Sequence, residues 1–270
     1  MDTPQAPSPQ LIDAYLDRID AVRHPQADAE FLRVLHRKHL WAVPFENLSI
    51  HLGEDIVLAD EPLLDKIVGA RRGGFCYELN GAFAVLLRAL GFRVSLLQAR
   101  VYGSDGGLGI PFDHLALKVD AEDSGPWLVD VGFGDHSHYP LALGTDREQE
   151  DPGGRFTVDD APYGDLDIHR DGKPQYRVDL HPRELAEFEV GAWFNRTSPA
   201  SHFTRSLVCS RLTEDGRITL SGDKLVTTVR GERHEEPLGS DAEVLAAYRD
   251  HFALVLDRVP TVRKITVQYD

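Results

Sequence analysis

The spacing of apolar residues changes at Gly91, and that change limits the chain's folds more than any other feature. Before it, apolar positions recur at helical intervals: Leu11, Tyr15 and Ile19, then Phe31, Leu32 and Leu35. Leu79, Phe83, Leu86, Leu87 and Leu90 form the clearest apolar face, on a helix starting at or just before Cys76, with Gly91 placed to end it. A shorter helical segment fits 62–68, with Pro62 suited to a first turn. After Gly91 the period is two, over 93–102, 113–119 and 127–131, with turn-forming residues between. Short strand-like runs at 155–158, 166–168 and 176–180 favour a small barrel or curled sheet. Beyond about Pro199 the pattern predicts a meander over 206–212, 217–221 and 224–229. A helix over 241–255, capped by Ser240 or Asp241, and a last strand over 262–267 follow. The order is helices, then strands, then a mixed α/β portion.

A chain of 270 residues can bury a full-sized core, and two or three subdomains suit its length. With 44 acidic against 29 basic side chains, its formal net charge is −15, which disfavours nucleic acid and anionic membranes as partners. No apolar run is long enough to span a bilayer, and Met1–Gln5 lacks the start of a signal peptide, so a cytoplasmic protein is expected. Two cysteines, Cys76 and Cys209, are too few for a disulfide framework, and no spacing suggests a metal site.

Cys76 follows Arg71-Arg72-Gly73-Gly74-Phe75 and opens the apolar helix. Its place in a first turn, with unpaired N–H groups and the helix dipole, favours a thiolate, and the two arginines are expected to add positive charge. A buried, inert thiol is the alternative reading of such a segment. Cys209 has neither glycine entry nor helix start and reads as structural.

A thiol nucleophile needs a base and a group that orients it. Among 12 histidines, strand parity selects one. His114, Ala116 and Lys118 share one face of the strand over 113–119, and Asp130 shares a face with Leu128. The polar connection 120–125 is of hairpin length, so an antiparallel pair would make His114 and Asp130 direct or diagonal neighbours. Directly opposite residues have Cβ atoms roughly 4.5–5.5 Å apart, within reach of a carboxylate–imidazole hydrogen bond. Asp113 is expected to point to the other face. A His–Asp pair on a half-buried sheet also occurs simply as a satisfied polar pair, so parity alone leaves the role open.

The segment Arg72-Gly73-Gly74-Phe75-Cys76-Tyr77-Glu78-Leu79-Asn80 resembles the active-site signature of the arylamine N-acetyltransferase family. Val43-Pro44-Phe45-Glu46-Asn47-Leu48, Asp113-His114-Leu115-Ala116-Leu117, Asp130-Val131-Gly132-Phe133-Gly134 and Ser201-His202-Phe203 resemble further parts of that family, in the same order. The resemblance implies an α+β fold: a helical bundle (1–91), a central antiparallel β-barrel (92–198) and a C-terminal α/β lid (199–270), around a cysteine-protease-like Cys-His-Asp core. It implies a catalytic triad of Cys76, His114 and Asp130, and ping-pong acetyl transfer from acetyl-CoA to an arylamine, arylhydroxylamine or hydrazine. Phe45 and Phe133 then match acceptor-lining positions, and Gly132, Gly134 and Phe203 are candidate coenzyme A contacts. Glu46 is expected to pair with Arg72 structurally. Two departures, Asp113 and Asp135, are expected to add negative charge near the site. The resemblance implies no metal and leaves a homodimer open. The same triad would also serve an amide synthase that releases a polyketide as a macrolactam, or a papain- or transglutaminase-like hydrolase.

Overall fold

The computed structural model describes residues 7–262. The helical portion comprises α1 (Pro9–Arg18), α2 (Ala29–Ala42), α3 (Leu48–Leu52), α4 (Asp60–Leu64) and α5 (Cys76–Ala89), with a short strand, β1 (Phe45–Glu46), after α2. Ser8 and Asp28 cap α1 and α2 by accepting from the Leu11 and Phe31 N–H groups. A π-helical turn, Asp65–Gly69, extends α4.

Eight strands follow: β2 (Arg93–Val101), β3 (His114–Asp120), β4 (Trp127–Val129), β5 (Leu141–Ala142), β6 (Gln149–Asp151), β7 (Gly154–Asp160), β8 (Leu166–Arg170) and β9 (Lys173–Val178). They form one antiparallel sheet in the order β5-β4-β3-β2-β9-β8-β7-β6. The sheet curls until its edges meet. There the Gln149 side chain accepts from the Ala142 N–H at 2.7 Å and donates to the Ala142 carbonyl at 3.0 Å. One amide side chain thus supplies what a backbone rung would supply in a closed barrel.

Helix α6 (Glu189–Thr197) leads to β10 (Cys209–Thr213), β11 (Gly216–Ser221), β12 (Lys224–Val229), β13 (Glu232–Pro237) and α7 (Asp241–Phe252), the last capped by Ser240. These strands form a second antiparallel sheet, and β1 joins it beside β10. The expected strand at 262–267 lies outside the described residues apart from Val262. No helix among the described residues is long and apolar enough to cross a membrane.

Some elements depart from the pattern-based expectation. Strand β13 has no large apolar residue and is exposed throughout, so backbone pairing to β12 alone makes it a strand. Helix α6 buries small and polar residues, Gly191, Ala192 and Asn195, and leaves Val190 and Trp193 exposed, so its apolar residues do not mark its inner face. A Cβ at Gly191 would stand 2.1 Å from the Phe112 carbonyl oxygen. Helix α5 is buried on every side from Cys76 to Leu87, not along one face, because it packs against α1, α4, β2 and β3.

Burying polar side chains on such a helix requires partners. Glu78 receives the Lys66 ammonium at 2.5 Å and the Phe75 N–H at 3.2 Å. Next to it, Arg72 pairs with fully buried Glu46 at 2.8 Å and with Glu54 at 2.9 Å, as expected for the Glu46 contact. Arg72→Met would leave the Glu46 carboxylate with the Leu48 N–H as its remaining hydrogen-bond donor. The variant should lose about 3–5 kcal/mol in urea unfolding at pH 7. Its deficit should shrink toward pH 5, because Lys66 and Arg72 together hold the Glu46 carboxyl below its ordinary range against burial, and the variant keeps only Lys66.

Candidate active site

Cys76 is the first residue of α5, after a backbone passage that only glycine permits. A Cβ at Gly73 would stand 1.9 Å from the Pro44 carbonyl oxygen, and the next residue, Gly74, accepts from the Glu46 N–H at 2.9 Å. This close approach to the segment around β1 turns the chain into the helix with the thiol on a cavity wall. Of the two arginines before Cys76, Arg72 is committed to Glu46 and Glu54, and Arg71 is exposed. Cys209 lies fully buried in β10, where burial pushes its thiol well above the ordinary value.

The hairpin behind His114 and Asp130 forms as parity predicts. Leu117 pairs with Val129, Lys118 with Leu128 and Val119 with Trp127. Continued past β4, this register sets Asp130 opposite Ala116 and His114 opposite Gly132, so His114 and Asp130 are diagonal neighbours on one face. Their contact, Nε2 to Oδ2, is 2.7 Å, and both side chains are buried. Nδ1 is the ring nitrogen left by that contact, and Cys76 lines the same cavity as the ring.

Electrostatics reinforce this geometry. Burial opposes charge on His114, but the Asp130 carboxylate and its hydrogen bond, with Cys76 adding to them, hold the ring up to about 10. Burial likewise opposes charge on Asp130, and the His114 imidazolium outweighs it, holding the carboxyl well below its ordinary value. The remaining partners of Asp130 come from elsewhere. Its Oδ1 accepts from Asn80 Nδ2 at 2.9 Å and from the Gly132 N–H at 3.0 Å. Asn80 also donates to the Leu115 carbonyl at 2.6 Å and accepts from the Val131 N–H at 2.9 Å. Asn80 sits one helical turn beyond Cys76, so a single side chain ties the cysteine helix to the carboxylate. Sequence reasoning passed over this residue. Its signal was an amide at i+4 from the cysteine on an otherwise apolar helix.

A second layer is neutral. The Asp130 N–H donates to His36 Nε2 at 3.4 Å, and His36 Nδ1 bonds the His138 carbonyl at 3.0 Å. Burial lowers His36 and pulls His136 down to about 4. The ring of His136 packs among Phe133, Phe156 and Tyr176.

The thiol and the imidazole share a cavity of about 730 Å³. Phe45, Phe133, Gly132 and Phe203 line it with them. Phe133 meets the His114 ring edge-on at 5.3 Å, and Phe45 packs on Phe203 at 6.0 Å. Gly132 is also a packing requirement, since a Cβ there would stand 2.7 Å from the Cys76 Cα and from Asn80 Nδ2. Gly134 packs against the Phe45 ring instead of lining the cavity. Asp113 does line it, contrary to the parity expectation, because β3 starts only at His114 and Phe112 before it has φ 59°. Asp135 is offset by Arg170 at 3.2 Å and Arg217 at 3.4 Å, so its expected negative charge is compensated. No cluster of three or more metal-ligating side chains occurs among the described residues.

A sulfur nucleophile at a helix start, a protonated ring beside it and a carboxylate behind the ring suit acyl transfer through a thioester. Comparisons with known proteins point the same way. A family model described as N-acetyltransferase matches residues 28–261. The arylamine N-acetyltransferase of Escherichia coli (strain K12) is 32% identical over 255 residues, covering 92% of this chain and 90% of the relative. The arylamine N-acetyltransferase / N-hydroxyarylamine O-acetyltransferase of Salmonella typhimurium is 35% identical over 218 residues, covering 78% of this chain and 76% of the relative. The solved structure of Mycobacterium marinum arylamine N-acetyltransferase in complex with CoA superposes with a TM-score of 0.82 at 33% identity, over 90% of this chain and 92% of that one.

Replacing Asn80 by leucine keeps its volume but leaves a buried carbonyl, a buried N–H and one carboxylate oxygen short of a partner. Asn80→Leu should lose about 3 kcal/mol of stability in denaturant titration. Its acyl-transfer rate should fall as well, and Asn80→Asp should fare no better, because its carboxylate would face the Asp130 carboxylate and the Leu115 carbonyl where the amide donates.

Proposed function

We propose, since this chain belongs to the arylamine N-acetyltransferase family, that it transfers acetyl from acetyl-CoA to the nitrogen of arylamines, arylhydroxylamines or hydrazines, in the cytoplasm, through an acetyl-cysteine intermediate. The observation that carries the reading is Cys76 on a cavity wall beside His114, whose other nitrogen is tied to buried Asp130. In this reading residues 1–91 carry the nucleophile, 92–198 carry the base and its orienting acid, and 199–270 close over the cavity.

Cys76 sulfur attacks the thioester carbonyl carbon, and the oxyanion is received by first-turn backbone N–H groups such as that of Cys76, which have no acceptor within the helix. The coenzyme thiolate leaves and takes the proton from His114 Nδ1. Acetylation removes the sulfur's contribution to holding that proton, so the ring releases it more readily and stands neutral when it is needed to accept one. The amine then attacks the acetyl carbon, His114 accepts its proton, and Cys76 thiolate leaves. Phe45 and Phe133 offer aromatic faces to the acceptor ring. Gly132 and Phe203 on the cavity wall, with Gly134 in the same turn as Gly132, are the contacts proposed for coenzyme A.

Intact-protein mass spectrometry tests this. Incubation with acetyl-CoA should add one acetyl group, located on Cys76, and an arylamine should remove it. Cys76→Ser should fold and form no turnover-competent adduct, and sustained turnover by it would sink the assignment. The wild-type acetylation rate should decline as pH rises through about 10, where His114 gives up its proton. Asp130→Asn removes the chief influence raising that value. It should therefore move the alkaline limb to lower pH and reduce the rate on the order of 10³–10⁴-fold.

A further inference from the structure

We propose that Asp113 sorts acceptors by charge, so that neutral amines or those carrying a cationic or hydrogen-bond-donating group are taken over aromatic amines bearing a carboxylate. The inference rests on the reading that amines enter this cavity, and adds the substrate class.

Asp113 is the one acidic side chain lining the cavity among the described residues, and it adjoins His114. The basic side chains on the same wall besides His114 are His202 and Arg205, both exposed. No lysine, arginine or histidine nitrogen lies within ion-pair distance of the Asp113 carboxylate among the described residues, in contrast to Asp135 with its two arginines. A carboxylate with no direct ion pair, countered by His114 and Arg100 beyond that distance, repels an anionic ligand inside a half-buried cavity more strongly than one on an open surface.

The position is rigidly built. Tyr77 donates its hydroxyl hydrogen toward the Phe112 and Asp113 carbonyls, at 2.7 and 3.0 Å. The Phe112 N–H donates to Gln98 Oε1 at 3.0 Å, and Asn195 Nδ2 donates to the Tyr77 hydroxyl at 3.0 Å. The carboxylate itself lies over Gly109, where a Cβ would stand 2.2 Å from its Oδ2. The side chain therefore cannot swing down against that wall to make room for a ligand carboxylate. Burial pushes the Asp113 carboxyl upward and outweighs His114, Asn195, the Val101 backbone and Arg100, which favour its charge, so its surroundings already disfavour additional negative charge.

The experiment uses the full chain with saturating acetyl-CoA and two acceptors of one shape, 4-aminobenzoate and 4-aminobenzamide. The measured quantity is the ratio of their kcat/KM values in wild type, Asp113→Asn and Asp113→Ser. Comparing ratios between variants cancels the two amines' intrinsic nucleophilicities and any effect common to both. The amide-to-carboxylate ratio should fall about tenfold in either variant, equal to about 1.4 kcal/mol, with the change carried mainly by the KM of the carboxylate. Raising the salt concentration should shrink the wild-type ratio and leave the variants' ratios nearly constant. An unchanged ratio in a folded variant that still forms acetyl-enzyme overturns the role of Asp113 and leaves the acetyltransferase reading intact. Failure of acetylated wild type to pass its acetyl group to any amine overturns the acceptor reading itself, and the sorting role with it.

Discussion

Two oxygens of one carboxylate join the parts of this molecule. Asp130 Oδ1 is held by Asn80 from α5 and by the Gly132 N–H from the loop after β4, while Oδ2 is held by His114 from β3. A buried carboxylate costs several kcal/mol unless its lone pairs are occupied, so all three partners must be in place for the fold to tolerate it. Because Asn80 lies one turn beyond Cys76, satisfying Asp130 also fixes where the cysteine stands. The nucleophile–base distance is thus set by the stability of the helix–barrel junction, and Gly132 lets that junction close to contact.

The surrounding charges are organised to leave this site to itself. Arg72 is consumed by Glu46 and Glu54, Lys66 by Glu78, and Asp135 by Arg170 and Arg217. His36 and His136, close to Asp130, are kept neutral by burial. The charges left on the cavity wall beside the thiol are then the His114–Asp130 pair and Asp113, which makes no direct ion pair. In a chain of net charge −15, pairing near the site matters more than the total, since the low-dielectric interior screens local charges poorly.

Much of this was legible without coordinates. Strand parity placed His114 and Asp130 on one face because side chains alternate with a period of two and the connection between the strands is short. The helix start at Cys76 was legible from the glycine pair and the apolar run after it. Other parts were not. Strand β13 has no apolar pattern, α6 buries Gly191, Ala192 and Asn195 while Val190 and Trp193 face out, and β1 is two residues long. The arginines before Cys76 looked like a field on the thiol until Glu46 and Glu54, about twenty residues away in the chain, took up Arg72.

By itself the sequence determined the α+β order of elements, the reactive segment and the His–Asp pairing, all of which follow from local geometry with fixed periods. The tertiary structure alone decided that Asn80 locks the helix to the carboxylate, that the barrel is closed by Gln149, that the flanking arginine is spoken for, and that Asp113 faces the cavity. Each of these depends on contacts between residues distant in the chain or on backbone departing from regular alternation, as at Phe112, and no period in the sequence encodes either.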